Sequence, residues 1–414
     1  MYRLLEGLRV VEGASFIAGP SCGLHLSQMG AEIIRFDAIG GGPDFRRWPK
    51  SPEGASFYWE GLNKGKKSIA LDLSKQEGRE LAVSIVTAPG QDAGLFVTNY
   101  PINGFLAHDK LAMRRPDLIS VRVMGWADGG AALDYTINSA IGIPLMTGPA
   151  ELRDQPVNHV LPAWDLIAGL HGAVALLAAE RRRKLNGQGE EIRVPLGDVA
   201  VATLGHLGQI AEVGISGADR PRMGNDIFGT FGRDFVAADG QRIMLVALTK
   251  RHWADLVKSL GIDSEVATIE KELNVTFAVD EGVRFVHRDR LNPVVAKAVV
   301  KHSLSELATK FKGTGVCWGP YNKLSEAIKD ERLIAGNPLF APVTHVSGYT
   351  YPTPGAATTL RASAREAPRR APMLGEHTDE ILAQVLGLPQ HEIARLHDVG
   401  TVAGPAPSLR RQIA

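Results

Sequence analysis

Cysteine is almost missing from this chain: among 414 residues only Cys22 and Cys317 occur. Two thiols exclude a disulfide framework and a four-thiolate zinc centre, so no metal is expected and a reducing cytoplasmic setting is the simplest one. A surplus of either charge is missing too. Lys and Arg number 46 against 45 Asp and Glu, so neither nucleic acid nor a membrane surface is an expected partner, since both attract a basic excess. Long apolar runs are also lacking. Leu166 to Ala179 is the most apolar stretch, and it is too short and too rich in Ala and Gly to span a bilayer. The opening Met1-Tyr2-Arg3-Leu4-Leu5-Glu6-Gly7 breaks with acid and glycine where a signal peptide continues apolar.

Several catalytic fingerprints are absent as well. No G-x-G-x-x-G follows the first strand, so Asp37 at the end of the second strand lacks the glycine loop that would make it a ribose-binding acid. There is no Walker lysine loop. Gly19-Pro20-Ser21-Cys22-Gly23 matches the letters of a nucleophile elbow, but Glu12 to Gly19 separate the serine from its strand. His391 and His397 lack the spacing that sets two zinc ligands on one helix face.

What remains is a regular alternation. Short β-branched runs at 8–11, 32–37, 68–73, 94–98 and 118–123 are separated by helical patterns such as 77–87. Short loops between alternating strands and helices imply an α/β fold with a mostly parallel, helix-covered sheet. A long helix over about 164–184 ends in Arg181-Arg182-Arg183-Lys184, a run that complements the negative end of the helix dipole. After about residue 215 the character changes. A hairpin turns at Asp239-Gly240, helices follow at 251–260 and 303–311, and amphipathic helices near 378–386 and 390–397 close the chain. A length of 414 residues calls for more than one core.

Two basic clusters flank strands: Asp44-Phe45-Arg46-Arg47 after the second, and Asn63-Lys64-Gly65-Lys66-Lys67 before the third. Each alone reads as a solvated turn; together they point to an anionic ligand. Asp165 stands where the long helix begins. It reads either as an N-cap or as a carboxylate kept ionised at the positive end of a helix and used as a nucleophile. Local sequence leaves both open.

A set of ordered segments narrows the choice. They are Ala18-Gly19-Pro20, Gly30 to Phe36 with Asp44 and Arg47 beyond, Asn63 to Asp72, Asn99, Leu161 to Gly169, and Gly375 to Leu382. Together they resemble the class III coenzyme A transferase family over nearly the whole chain. That resemblance implies an enzyme that moves coenzyme A between carboxyl groups, with Asp165 attacking the acyl thioester. It implies coenzyme A contacts at Ala18, Arg47, Lys66, Lys67, Leu71 and Asn99, and a substrate pocket that includes Ile17 and Asp134. Coenzyme A enters as part of the substrate, and no permanently bound cofactor is expected. The implied fold is a doubly wound large domain built from both chain ends (1–210 and 330–414) and a small α+β domain (211–329). The resemblance also implies two subunits interlocked as a homodimer. The chain departs from the family's formyl-CoA transferase branch at Ile17, where that branch has glutamine. It departs from the racemase branch at Leu133-Asp134, where that branch has a His-Asp pair, so α-proton exchange loses half of its acid–base machinery.

Overall fold

The computed structural model describes residues 1–405, which divide into two compact units. The first comprises Met1–Ile141, His159–Glu212 and the chain from Asp330 onward; the second comprises Gly142–Asn158 and Val213–Lys329.

The first unit is built on one sheet. Its strands are β1 (Arg9–Gly13), β2 (Glu32–Ala38), β3 (Lys67–Leu71), β4 (Leu95–Thr98), β5 (Ile119–Met124) and β6 (Glu190–Pro195). They lie in the order β3-β2-β1-β4-β5-β6, all parallel. The two-residue strand Val402–Ala403 adds antiparallel to β3, so the chain's end returns to this sheet. Strands β1 to β5 are buried along nearly their whole length, which is why they read as continuous β-branched runs rather than as alternation. The strand order reverses between β1 and β4: strands are added outward from β1 through β2 to β3, and the chain then crosses to the other side of β1 at β4. Ligands of doubly wound sheets bind in the crevice outside the carboxyl ends of strands at such a point.

Seven helices precede β6: α1 (Ala18–Gln28), α2 (Phe57–Leu62), α3 (Gln76–Val86), α4 (His108–Ala112), α5 (Asp134–Ala140), α6 (Ile143–Met146) and α7 (Ala163–Asn186). Of these, α6 belongs to the second unit. Helix α7 is long and apolar enough to cross a membrane by composition, yet one face packs on α1, β5 and β6. Glycine makes the α1 contact close. A Cβ on Gly169 would lie 1.9 Å from Ser21 Oγ and 2.9 Å from Ala18 O, and one on Gly172 would lie 3.3 Å from Cys22 Sγ.

Beneath α1 lies a buried ionic knot. Arg35, with no exposed side-chain surface, donates to Glu12, Asp37, Asp44 and Asn63. Lys66 Nζ donates to both Glu12 oxygens at 2.9 Å, to Pro20 O at 2.8 Å and to Asn63 Oδ1 at 2.9 Å. The knot ties β1, β2, the loop before β3 and the first turn of α1 together.

The second unit carries an antiparallel sheet, β7 (Phe231–Val236), β8 (Arg242–Ala247) and β9 (Cys317–Pro320), with the β7–β8 turn at Asp239-Gly240. Helices Lys250–Leu260, Asp263–Leu273, Arg288–Val299 and Leu304–Phe311 cover it, over a core that includes Phe231, Leu245, Trp253 and Phe277.

Removing one partner of a buried ion pair leaves the other charge unpaired in a low-dielectric interior, at a cost of about 3–5 kcal/mol. Lys66→Met is therefore expected to lower the urea midpoint of the first unfolding transition by a corresponding amount. A midpoint equal to the parent's would mean that Arg35 alone suffices to hold Glu12.

Candidate active site

The crevice beside β1 and β4 is framed by two short loops. Asn99, just past β4, accepts from Ser15 N and donates to Ser15 O, both at 3.1 Å, and so braces the loop that follows β1. Within that loop Phe16 has φ 70, a left-handed conformation that costs an aromatic residue strain and persists only where neighbours impose it. The loop runs into α1 at Ile17, which offers no side-chain cap, and Pro20 lacks an N–H. The Ala18 and Gly19 amides therefore sit at the positive end of α1 without a capping side chain.

Helix α7 brings Asp165 to the same place. Asp165 is the third residue of α7 and not its N-cap; that position is Pro162, which makes no side-chain cap bond. The cap comes from elsewhere in the chain. Asp134, first residue of α5 and buried, accepts through Oδ2 from Trp164 N at 2.7 Å and from Asp165 N at 3.1 Å. Its other oxygen faces His159 Nε2 at 3.4 Å. The Asp165 carboxylate is thus left without a capping task. One turn further along the same face, Gly169 touches Ala18 and Ser21, which sets Asp165 over the start of α1.

Burial pushes the Asp165 carboxyl up to about 7; the Asp134 charge pushes the same way and Arg47 opposes both. The expectation of a carboxylate held ionised by the helix end is therefore corrected. Desolvation and a second carboxylate outweigh the helix terminus, and near neutral pH Asp165 is shared between its two forms. Arg47 is stacked against the Phe16 and Tyr58 rings, 5.4 and 5.3 Å from their centroids. Tyr58 Oη is buried without a hydrogen-bond partner, and burial raises its phenol well above the usual range.

Ile17, Ala18, Arg47, Leu71, Asn99 and Asp134 follow or end strands at the carboxyl edge of the sheet or lie at the start of helices there, and Asp165 lies in the first turn of α7, which starts at the same edge. Leu71 is fully buried at the end of β3. Lys66 and Lys67 are elsewhere. Lys67 begins β3 and Lys66 just precedes it, their backbone at the opposite edge, and both ammonium groups already have partners: Lys66 reaches under the first turn of α1 to Glu12 and Pro20 O, and Lys67 pairs with Glu32 at 2.5 Å and Glu380 at 2.8 Å. The expected phosphate contact by these two lysines is thus corrected, because local sequence does not reveal acids arriving from 35 to 313 residues away. A cavity of about 590 Å³ opens at that opposite edge, among Glu32, Lys67, Arg370 and Glu376, whose charges pair with one another. It is not the site of Asp165. Among the described residues no three His, Cys, Asp or Glu side chains gather as a metal site. Sequence reasoning missed Phe16 and Tyr58. The aromatic run Phe57-Tyr58-Trp59 after the Asp44–Arg47 cluster was the one available signal for Tyr58.

The family model of CoA-transferase family III matches residues 5–378. The chain belongs to CoA-transferase family III. This class III transferase is 46% identical to 2-methylfumaryl-CoA isomerase of Chloroflexus aurantiacus, over 98% of this chain and 99% of that one. It is 27% identical to succinate–glutarate CoA-transferase of Agrobacterium fabrum, over 92% and 95% of the two chains. A CAIB/BAIF family protein of Brucella suis has the same fold, with a TM-score of 0.72 over 92% of this chain and 99% of that one at 24% identity. The transferase is an enzyme, and its family acts on coenzyme A thioesters.

A carboxyl whose folded pKa is raised contributes stability below its unfolded pKa and withdraws it as pH climbs through the folded value. For Asp165 that window runs from about 4 to about 7. Asp165→Asn is expected to have a Tm above that of the parent at pH 8, with the gap closing toward pH 4. Equal melting curves at both pH values would show that Asp165 is not held in a desolvated setting.

Proposed function

We propose that this transferase moves coenzyme A between the two carboxyl groups of one molecule of 2-methylfumarate, with Asp165 as the nucleophile. The observation that carries the reading is the 46% identity to 2-methylfumaryl-CoA isomerase over almost the full length of both chains. The geometry supports it: Asp165 lies one turn before Gly169, which meets the uncapped first turn of α1, on a helix whose own cap is Asp134.

The two carboxyl groups of 2-methylfumarate are trans across a double bond, so neither reaches the other to form a cyclic anhydride. A relay is required. The Asp165 carboxylate attacks the thioester carbonyl, and the Ala18 and Gly19 amides stabilise the oxyanion. The carbon–sulfur bond breaks, and coenzyme A leaves as thiolate with a mixed anhydride on Asp165. The thiolate then attacks the aspartyl carbonyl, giving an aspartyl thioester and the free diacid. The diacid turns and attacks with its other carboxylate. That attack breaks the carbon–sulfur bond of the aspartyl thioester, expelling the thiolate again and forming a second mixed anhydride; the thiolate then attacks the substrate acyl carbonyl of this anhydride, releasing product and the Asp165 carboxylate. Keeping the diacid beside the thioester supplies the effective concentration that makes an added acid unnecessary. Ala18, Leu71 and Asn99, on the loops and strand ends that frame the crevice, are read as coenzyme A contacts, and Ile17 as a wall of the acyl pocket. Asp134 acts through Asp165.

A homodimer is part of this reading. Leu170 and Val174 on α7, and Leu207 and Ile210 further along the first unit, are about half or more exposed, apolar side chains that a second copy would cover in this reading. Both cysteines are free thiols, which fits a cytoplasmic setting.

Similarity to succinate–glutarate CoA-transferase favours a second reading, transfer between two separate acids. One experiment separates them. Unlabelled 2-methylfumaryl-CoA is incubated with isotope-labelled free 2-methylfumarate and no other acid. Isomerisation to equilibrium with little label in early product is expected. An absolute requirement for added acid, with label entering at the turnover rate, would replace the isomerase by an ordinary transferase. Asp165→Ala should abolish either activity while retaining the fold, and turnover near that of the parent would remove the nucleophile.

A further inference from the structure

We propose that Arg47 grips the free carboxylate of the acyl group, making it the residue that selects dicarboxylic over monocarboxylic thioesters. This deepens the isomerase reading and rests on it for the identity of the acyl group.

Three observations carry it. First, the Arg47 guanidinium has no hydrogen bond or ion pair among the described residues, although acids surround Arg35 nearby and take their cations there. Second, the side chain is not loose. It lies against Phe16 and Tyr58, within 5.4 Å of each ring centroid, in contacts that fix a planar cation while leaving its N–H fork open. Phe16 holds its ring there from a strained backbone, and Asn99 braces the loop it belongs to. Third, Arg47 is close enough to Asp165 to act on its charge, and Tyr58 Oη beside it is buried with no acceptor. A fork of donors plus a hydroxyl, both unpartnered and both near the nucleophile, match a carboxylate better than a distant phosphate.

An isomerase has a further use for such a group. Whichever carboxyl carries coenzyme A, the other is free and charged. The same cation then serves substrate and product alike, and holds the dianion while it turns. A monocarboxylic acyl group offers no acceptor to this pair, and its apolar end would displace water from the exposed Arg47 without replacing those hydrogen bonds.

The test uses unreactive thioethers of coenzyme A, so it does not depend on turnover. The carboxypropyl thioether presents a terminal carboxylate; the butyl thioether presents a methyl in its place. The unmodified protein should bind the first at least about 10-fold more tightly than the second, in line with a charge-assisted pair. Arg47→Met should abolish that preference, Arg47→Lys should keep part of it, and the affinity for free coenzyme A should stay within about twofold in both. Equal binding of the two thioethers by the unmodified protein would overturn the assignment while leaving isomerisation untouched. So would an Arg47→Met protein that loses affinity for both thioethers and for free coenzyme A alike, since Arg47 would then hold the coenzyme. Failure of the isomerase reading appears separately, in the labelling experiment.

Discussion

Two hydrogen bonds to one oxygen of Asp134 decide where α7 begins, and most of the site follows from that. A helix start needs an acceptor for its first amides. Here Pro162 supplies none, and Asp134 reaches in from α5 to receive Trp164 N and Asp165 N. Because the cap is remote, the acid within the first turn is not consumed by capping. It also acquires a carboxylate neighbour on its own backbone. The same contact therefore frees Asp165, orients it and raises its pKa. A local N-cap at the head of α7 would have done the first job without the other two.

The framework that receives α7 has to be stiff, and its stiffness is ionic as well as apolar. Glycines at 169 and 172 let α7 lie against α1 at backbone distance. The first turn of α1 is in turn fixed from below, where Lys66 donates to Pro20 O and to Glu12. Glu12 is itself shared with Arg35. A chain of contacts thus runs from the centre of the sheet through α1 to the loop that holds Phe16. Strain at Phe16 and desolvation at Asp165 both disfavour the folded state; the buried knot and the braced loop oppose them.

This division explains what the sequence disclosed. The strands were legible because burial on both faces demands β-branched runs bounded by turns, and each expected run lies within a residue or two of an observed strand. The hairpin at Asp239-Gly240 was legible because that turn chemistry is local. The place of Asp165 near the start of a long helix was legible, but the source of that helix's cap was not, since Asp134 lies 31 residues away. Lys66 and Lys67 misled for the same reason. Three lysines round a glycine look like a phosphate loop until Glu12, Glu32 and Glu380 are folded against them. Local chemistry could be read; which distant charges neutralise which could not.

The charges that remain unneutralised at the site bear on the chemistry. A carboxylate with a pKa near 4 is almost wholly ionised in the cell but a weak nucleophile; one near 7 is half protonated yet more reactive when charged. Asp165 stands at the second compromise. The acylation proposed for it would convert it to a neutral anhydride or thioester, so the desolvation and repulsion that disfavour the free carboxylate would vanish on forming the intermediate. In the proposed mechanism the destabilised partner is the resting carboxylate, and relief comes at the first covalent step. Arg47 moderates this. Without a nearby cation, two carboxylates in one crevice would drive the Asp165 pKa higher still and leave little of the reactive form at neutral pH. For the proposed reaction, the balance of one desolvated carboxyl, one capping carboxylate and one open guanidinium therefore matters more than any single member of the set.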